Sequence, residues 1–181
     1  MTNHFLNEQC DTALQKIASG DMDALAVIYH KLGKRIFLLS LSILRDRESA
    51  EDIMQETFLK IAAEAHTYKE KSNAIAFILT ITRNLSLNLL AKRRRSASYE
   101  SSLDAGAEIA DSNPTNAFSE LPEALSLLDL DDRQIVILKL ENNMKHRDIA
   151  AVLGISEAAC QKRYRRALEK LKNYYIREGK R

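Results

Sequence analysis

Between residues 23 and 44 apolar side chains recur three and four apart, at Leu25, Ile28, Tyr29, Leu32, Ile36, Leu39 and Ile43. That spacing follows one face of a helix turning every 3.6 residues. The charged run Arg45-Asp46-Arg47-Glu48 interrupts it. Ser49 with Asp52 three residues on fits a capping box, and Glu51 and Asp52 suit the positive end of a new helix dipole. The helix predicted over 50–66 turns Ile53, Met54, Phe58, Ile61 and Ala65 inward and Asp52, Gln55, Glu56, Lys60 and Glu64 outward. A polar loop over 67–73 (TYKEKSN) leads to a third helix over 74–95. Its apolar stripe is Phe77, Ile78, Ile81, Leu85 and Leu89, and it ends in the basic run Lys92-Arg93-Arg94-Arg95.

Residues 96–119 lose all periodicity and are rich in Ser, Ala, Asn and Asp, which predicts a flexible linker. A flexible chain of its 24 residues averages roughly 27 Å end to end and stretches to about 80 Å. Four shorter helical segments follow. Pro122 fits the first turn of one containing Leu125 and Leu128, and Asp131 or Asp132 suits the cap of the next, with Ile135, Val136, Leu138 and Leu140 as its core. A third covers 145–153, and after Gly154 and the N-cap Ser156 a longer basic helix runs to about residue 175. The expected architecture is all-α: a helical domain over 1–95, a linker over 96–119 and a second helical domain over 120–181.

Composition agrees, and narrows the chemistry. With 5 Gly and 2 Pro in 181 residues, a turn-rich β fold is excluded. Cys10 and Cys160 form no CxxC pair and His4, His30, His66 and His146 are scattered, so no metal, cofactor or disulfide framework is expected. Cys160 lies on an apolar helix face and reads as a buried thiol. The start, MTNHFLNEQC, lacks the basic-then-apolar pattern of a secretory signal. The most apolar stretch, 74–90, carries Arg83, Asn84 and Asn88 in its middle, so membrane insertion is not expected and the chain reads as cytoplasmic.

The net charge of +2 conceals strong segregation. Residues 99–132 hold nine acidic residues and no basic one, whereas residues 133–181 carry a net +8. Two basic surfaces on either side of an acidic spacer point to a polyanion.

The second basic surface has a specific form. Residues 145–171 have the spacing of a helix-turn-helix: KHRDIAAVLG, then IS, then EAACQKRYRRALEKL. Ile149, Ala150 and Leu153 face inward, Gly154 permits the tight turn and Ile155 plugs the corner. In the second helix Cys160, Tyr164, Ala167, Leu168 and Leu171 share one face, and Glu157, Gln161, Lys162, Arg165 and Glu169 the other. An exposed row of Gln161, Lys162 and Arg165 is what base-edge reading in a major groove requires, and the flanking Arg163 and Arg166 suit phosphates. A free-standing helix-turn-helix regulator that binds duplex DNA by itself meets the same requirements. An enzyme would need the Glu48, Glu51, Asp52, Glu56 cluster as a metal site, but no histidine joins it and helix capping explains it.

The chain as a whole resembles the extracytoplasmic-function (ECF) sigma factors, short two-domain subunits of bacterial RNA polymerase. The resemblance rests on AEDIMQETFLKI (50–61), on AFILTITRN (76–84) and on the series DDRQIVILKL, RDIAAVLGIS and RYRRALEKL, in the family's order. It implies a promoter-specificity subunit without catalysis, whose partners are core RNA polymerase, promoter DNA and commonly an anti-sigma factor. Asp52, Gln55 and Glu56 match the positions that dock on the polymerase, and at i, i+3 and i+4 they share one helix face. The resemblance places Tyr68, Lys69, Lys71, Ser72 and Asn73 in the loop that captures an unpaired base of the −10 element. Arg83, Asn84, Asn88, Lys92 and Arg93 then lie along the adjoining helix. Tyr68 either stacks on that base or closes the core. The helix-turn-helix reads the −35 element, with Gln161, Lys162 and Arg165 on bases and Arg147, Arg163 and Arg166 on phosphates. The chain departs from the family pattern at Phe77 (often Trp), Asn88 (often Asp), Ala91 (often Arg), Ala159 (often Thr) and Cys160 (often Val).

Overall fold

The first helix is one that the reading above does not mark. α1 (Asn3–Ala18) buries Leu6, Cys10, Ala13, Leu14 and Ile17, which do recur at helical spacing. It belongs to a computed structural model that describes residues 3–103, 123–141 and 143–177, and among those residues all regular structure is helical. A short 3₁₀ turn, Met22–Ala24, leads into α2 (Leu25–Leu44). The second half of α2 is buried all round, from Leu38 to Leu44. The hydroxyls of Ser40 and Ser42 are satisfied inside the helix, donating to the carbonyls of Ile36 (3.0 Å) and Leu39 (2.7 Å). The helix ends where Arg45 turns left-handed, at φ 58°.

α3 (Arg47–Glu64) is capped by Asp46 rather than by Ser49: the Asp46 carboxylate accepts from the Ser49 amide at 3.1 Å and from the Ser49 hydroxyl. Those bonds, with Arg93 nearby, hold the Asp46 carboxyl below the usual carboxylate range. The helix starts three residues earlier than expected because an ionised side chain one turn upstream offers its N-terminus the stronger acceptor. α4 (Ala74–Leu103) begins at Asn73, whose Oδ1 accepts from the Ala76 amide (2.9 Å). It continues eight residues into the expected linker, since no glycine or proline interrupts the chain before Gly106. The remainder of the linker and Pro122 lie outside the described residues. By length and composition 74–96 could cross a membrane. In the fold its Ala74, Ile75, Ile78, Leu79, Thr82 and Ser86 are buried, mostly against α2 and α3.

The C-terminal unit opens with a 3₁₀ turn, Glu123–Leu127, followed by α5 (Leu130–Leu140), α6 (His146–Leu153) and α7 (Glu157–Arg177). Asp129, not Asp131 or Asp132, caps α5 by accepting from the Asp132 amide at 2.9 Å. Leu140, expected in the core, is 62 % exposed.

The two units pack against each other through α2 and α5. Leu38 and Leu41 of α2 and Ala50 of α3 share an apolar cluster with Leu125, Leu128, Val136, Ile137 and Ala167. At its rim the Arg133 guanidinium, 5 % exposed, donates to three carbonyls: Leu125 (3.0 Å), Leu128 (2.8 Å) and Ser42 (2.9 Å). The Ser42 carbonyl lies in the last turn of α2, where carbonyls lack an intrahelical partner and a cation is favoured by the helix dipole. In exchange Arg45 donates to the Ser126 carbonyl at 3.2 Å. Arg83 of α4 donates to Gln134 Oε1 (2.9 Å), and Lys34 pairs with Glu141 at 3.5 Å.

Arg133→Met is expected to lower unfolding stability by about 3 kcal/mol, because three carbonyls lose a charged donor and are left buried. Urea denaturation followed by circular dichroism measures it. Burial also raises both thiols, Cys10 to about 11. Neither cysteine should react with iodoacetamide at pH 8 until urea unfolds the chain, as mass spectrometry of the alkylated protein will show.

Candidate functional site

Three surfaces carry the candidate residues. The first is the outer face of α3, where Asp52, Gln55 and Glu56 are all exposed. Leu59, on the same face one turn on, is 73 % exposed. Beside this strip a groove of about 440 Å³ runs between α2 and α3, lined by Tyr29, Gly33, Phe37, Met54 and Gln55 among others. Arg47 lies over the Phe37 ring at 5.6 Å and pairs with Glu51 at 2.8 Å, leaving the α3 strip itself acidic.

The second surface is the loop between α3 and α4 with the outward row of α4. Lys69, Lys71 and Ser72 are exposed, and Lys71 takes a left-handed φ of 58°. Asn73 caps α4. Tyr68 is only 9 % exposed and packs on Phe77, with ring centroids 5.2 Å apart. Its hydroxyl donates to Asp11 at 2.6 Å, and burial, with that bond, pushes its pKa up to about 12. In this arrangement Tyr68 closes the core and offers no stacking face. Asn84, Asn88 and Lys92 are exposed at successive fourth positions of α4 and form one row. Arg83 and Arg93 are turned aside: Arg83 bonds Gln134, and Arg93 reaches Ser49 and Asp46.

Asn7 and Asp11 of α1 also belong to this surface, and the sequence reading missed them. Asp11 accepts from the Lys71 amide (2.8 Å) as well as from Tyr68. Asn7 donates to the Ser72 carbonyl and accepts from the Ile75 amide, both at 3.2 Å. The available signal was a polar row, Asn7, Asp11 and Gln15, at fourth positions beside the apolar stripe of α1.

The third surface is the helix-turn-helix of α6 and α7. Gly154 holds the turn at φ 69°, and the Ile155 amide closes it on the Ala150 carbonyl at 3.0 Å. Ser156 Oγ accepts from the Ala159 amide (3.2 Å) at the start of α7. Cys160 and Ala167 are buried, while Gln161, Lys162 and Arg165 are exposed on the opposite side. Arg147 is exposed and lies 3.5 Å from Asp148. Arg163 and Arg166 hold the fold together. Arg163 pairs with Asp131, and Arg166 makes a bidentate contact with Asp132, Nη2 donating to Oδ1 at 3.0 Å and Nε to Oδ2 at 3.2 Å; the Asp132 side chain is fully buried. These contacts clamp α7 to the N-terminus of α5, where the acids complement the dipole. Among the described residues no cluster of His, Cys, Asp and Glu is suited to hold a metal.

A helix-turn-helix with an exposed basic recognition helix, joined to a second all-helical unit, defines a DNA-binding transcription protein. The Sigma-70 region 2 family matches residues 28–96, and the Sigma-70 region 4 family matches residues 118–171. EcfG, an ECF RNA polymerase sigma factor of Rhodopseudomonas palustris, is 34 % identical, over 76 % of this chain and 76 % of its own. The sigma factor CarQ of Myxococcus xanthus is 28 % identical over 88 % of this chain and 93 % of its own. A probable sigma factor of Xanthomonas campestris, RfaY, is 30 % identical over 88 % of this chain, which spans only 42 % of that longer protein. In architecture the chain is similar to CnrH, solved with the cytosolic domain of CnrY (TM-score 0.71, 21 % identity, covering 93 % of this chain and 97 % of the other). It is similar also to RpoE of Bartonella quintana, solved with the anti-sigma factor NepR (TM-score 0.66, 24 % identity, 80 % and 92 % covered).

The chain belongs to the ECF RNA polymerase sigma factors. Proteins of this class bind core RNA polymerase and promoter DNA and are initiation factors rather than enzymes. Having both regions in order, the chain is no free-standing helix-turn-helix regulator.

Arg166→Ala should lower stability by about 2 kcal/mol, since it strips the buried Asp132 of its bidentate partner. Arg165→Ala, on the exposed side, should leave the melting temperature unchanged. Thermal melts of the two variants beside the native chain measure the difference.

Proposed function

We propose that the acidic strip of α3 docks on core RNA polymerase and that the remaining two surfaces divide the promoter between them. Asp52, Gln55 and Glu56 form the docking strip, for which an Arg- or Lys-bearing helical partner is the complementary surface. Lys69, Lys71, Ser72 and Asn73, with the Asn84, Asn88, Lys92 row, take the −10 element: amides and hydroxyls for an unpaired base, cations to track the backbone. Gln161, Lys162 and Arg165 read the −35 element in the major groove, with Arg147 on a phosphate. Arg83, Arg93, Arg163 and Arg166 join the DNA contacts only by exchanging their present partners for phosphate. The observation that carries this reading is that the three surfaces stay exposed while the apolar faces behind them are buried.

On this reading the chain has no catalysis of its own and works in the cytoplasm. Duplex opening comes from preferential binding of the unpaired form, a shift of population rather than an energy-driven step. Strand capture and −35 reading occur together only when the two units separate, so the packed arrangement is the resting one. An anti-sigma factor is a fitting regulatory partner, since it has only to favour that resting arrangement.

Reconstituted transcription with purified core polymerase on a pool of promoter fragments tests the assignment. The native chain should select particular start sites, and Gln55→Ala/Glu56→Ala should abolish them while leaving helicity intact. Selective initiation that survives the double substitution would move the docking site off α3.

A further inference from the structure

Helix α1 lies outside both stretches that match the sigma family, which begin at residues 28 and 118. Its inner stripe fills the core, yet two of its polar side chains are committed to a single loop. Asp11 Oδ1 accepts from the Tyr68 hydroxyl at 2.6 Å and the Lys71 amide at 2.8 Å, while Oδ2 accepts from Gln15 Nε2 at 2.6 Å. One turn earlier, Asn7 uses both ends of its amide, donating to the Ser72 carbonyl and accepting from the Ile75 amide at 3.2 Å. Four bonds from two residues of α1 thus grip the loop between Tyr68 and Ile75.

The loop needs such a grip. Lys71 is held at φ 58°, a left-handed conformation that its Cβ disfavours, with no glycine there to relieve it. Within the loop itself the Ser72 amide bonds the Lys69 carbonyl (3.2 Å) and the Ser72 side chain reaches the Tyr68 hydroxyl, and neither bond engages the Lys71 amide. A carboxylate accepting from the Lys71 amide is a charge-assisted bond that selects this conformation over the extended ones available to a free loop. The bond fixes where the Lys71, Ser72 and Asn73 side chains stand relative to the α4 row.

We propose that Asn7 and Asp11 are positioning residues of the −10 site, holding the 68–75 loop in the conformation that captures the unpaired base. The inference rests on the assignment of the −10 element to this loop. Releasing the grip lowers the fraction of chains whose loop is competent, and the apparent affinity for the −10 strand falls by the same factor.

The experiment uses holoenzyme reconstituted from core polymerase and the full chain, on a fragment selected by the transcription assay. One version has its −10 region premelted by mismatches, and the other ends before the −10 element and retains only the −35 duplex. Asp11→Ala should weaken binding to the premelted fragment about tenfold, flatten its base preference at −10, and leave the −35 duplex and core polymerase affinities unchanged. Asp11→Asn, which keeps an acceptor oxygen without the charge, should recover most of the loss, and Asn7→Ala should fall between. Hydrogen exchange of the Lys71 amide should accelerate in Asp11→Ala and less in Asp11→Asn. If Asn73→Ala weakens −10 binding while Asp11→Ala does not, the positioning role is overturned and the loop assignment stands. If neither substitution matters, the loop assignment fails and the positioning role with it. Equal losses on both DNA fragments would mark Asp11 as generally structural and overturn the proposal as well.

Discussion

The contact between the two units of this protein is arranged around the end of α2. A helix that is buried all round in its last two turns leaves carbonyls inside the protein with no intrahelical donor. The N-terminal unit supplies only part of the remedy, through the left-handed cap at Arg45, whose amide bonds the Leu41 carbonyl. The Ser42 carbonyl is satisfied by Arg133, from the other unit. That guanidinium also bonds Leu125 and Leu128, so one side chain ties the entry of the C-terminal unit to the exit of α2. The apolar contact of Leu38 and Leu41 with Val136 and Ile137 then forms around an already satisfied polar point.

The division of Arg133's bonds makes the contact reversible. Its Leu125 and Leu128 acceptors belong to its own unit and remain bound when the units part. The Ser42 bond is exchanged for water, at a net cost of about 1 kcal/mol. The Arg45–Ser126, Arg83–Gln134 and Lys34–Glu141 contacts are likewise exchanged for water, and apolar area, which a larger partner surface can replace, supplies the rest. The interface therefore stabilises the packed arrangement without locking it. The loop between α3 and α4 shows the same economy of means: the bonds that shape it come from α1, within the N-terminal unit.

The sequence made most of this fold legible, and its failures have physical causes. Helices α3, α4, α6 and α7 follow from spacing because each has one wet face, whereas α2 and α5 are buried all round over Leu38–Leu44 and Asp132–Leu138 and are legible from their apolar density and flanking charges. α1 carries the same signal at Leu6, Cys10, Ala13, Leu14 and Ile17, weakened by two small side chains and an exposed Phe5. The caps of α3 and α5 are not legible from spacing because several acids or hydroxyls stand within one turn, and only geometry selects Asp46 and Asp129. The helical start of the expected linker, 96–103, is hidden in the sequence because an Ala- and Ser-rich stretch without glycine or proline extends a helix that is already nucleated. Arginines were the least legible. Lys162 and Arg165 face solvent as expected, whereas Arg83, Arg93, Arg163 and Arg166 on neighbouring positions have protein partners, and spacing alone cannot separate the two sets.

Those paired arginines bear on how such a protein distinguishes its two states. Where the units meet, a cleft of about 760 Å³ is lined by Lys71, Ser72 and Asn73 from the loop before α4 and Lys145 and Arg147 from the start of α6. A duplex about 20 Å across cannot enter such a cleft, and two elements more than one 34 Å turn apart cannot be held across it. The 19 residues over 104–122 reach at most about 65 Å when extended, enough to span that separation once the units part. Parting also releases Arg83 from Gln134, so a cation held in the interface becomes available beside the Asn84 row as the two surfaces come free. On the proposed division of the promoter, opening removes a steric block and adds positive charge beside the Asn84 row, so polyanion binding and separation of the units favour each other.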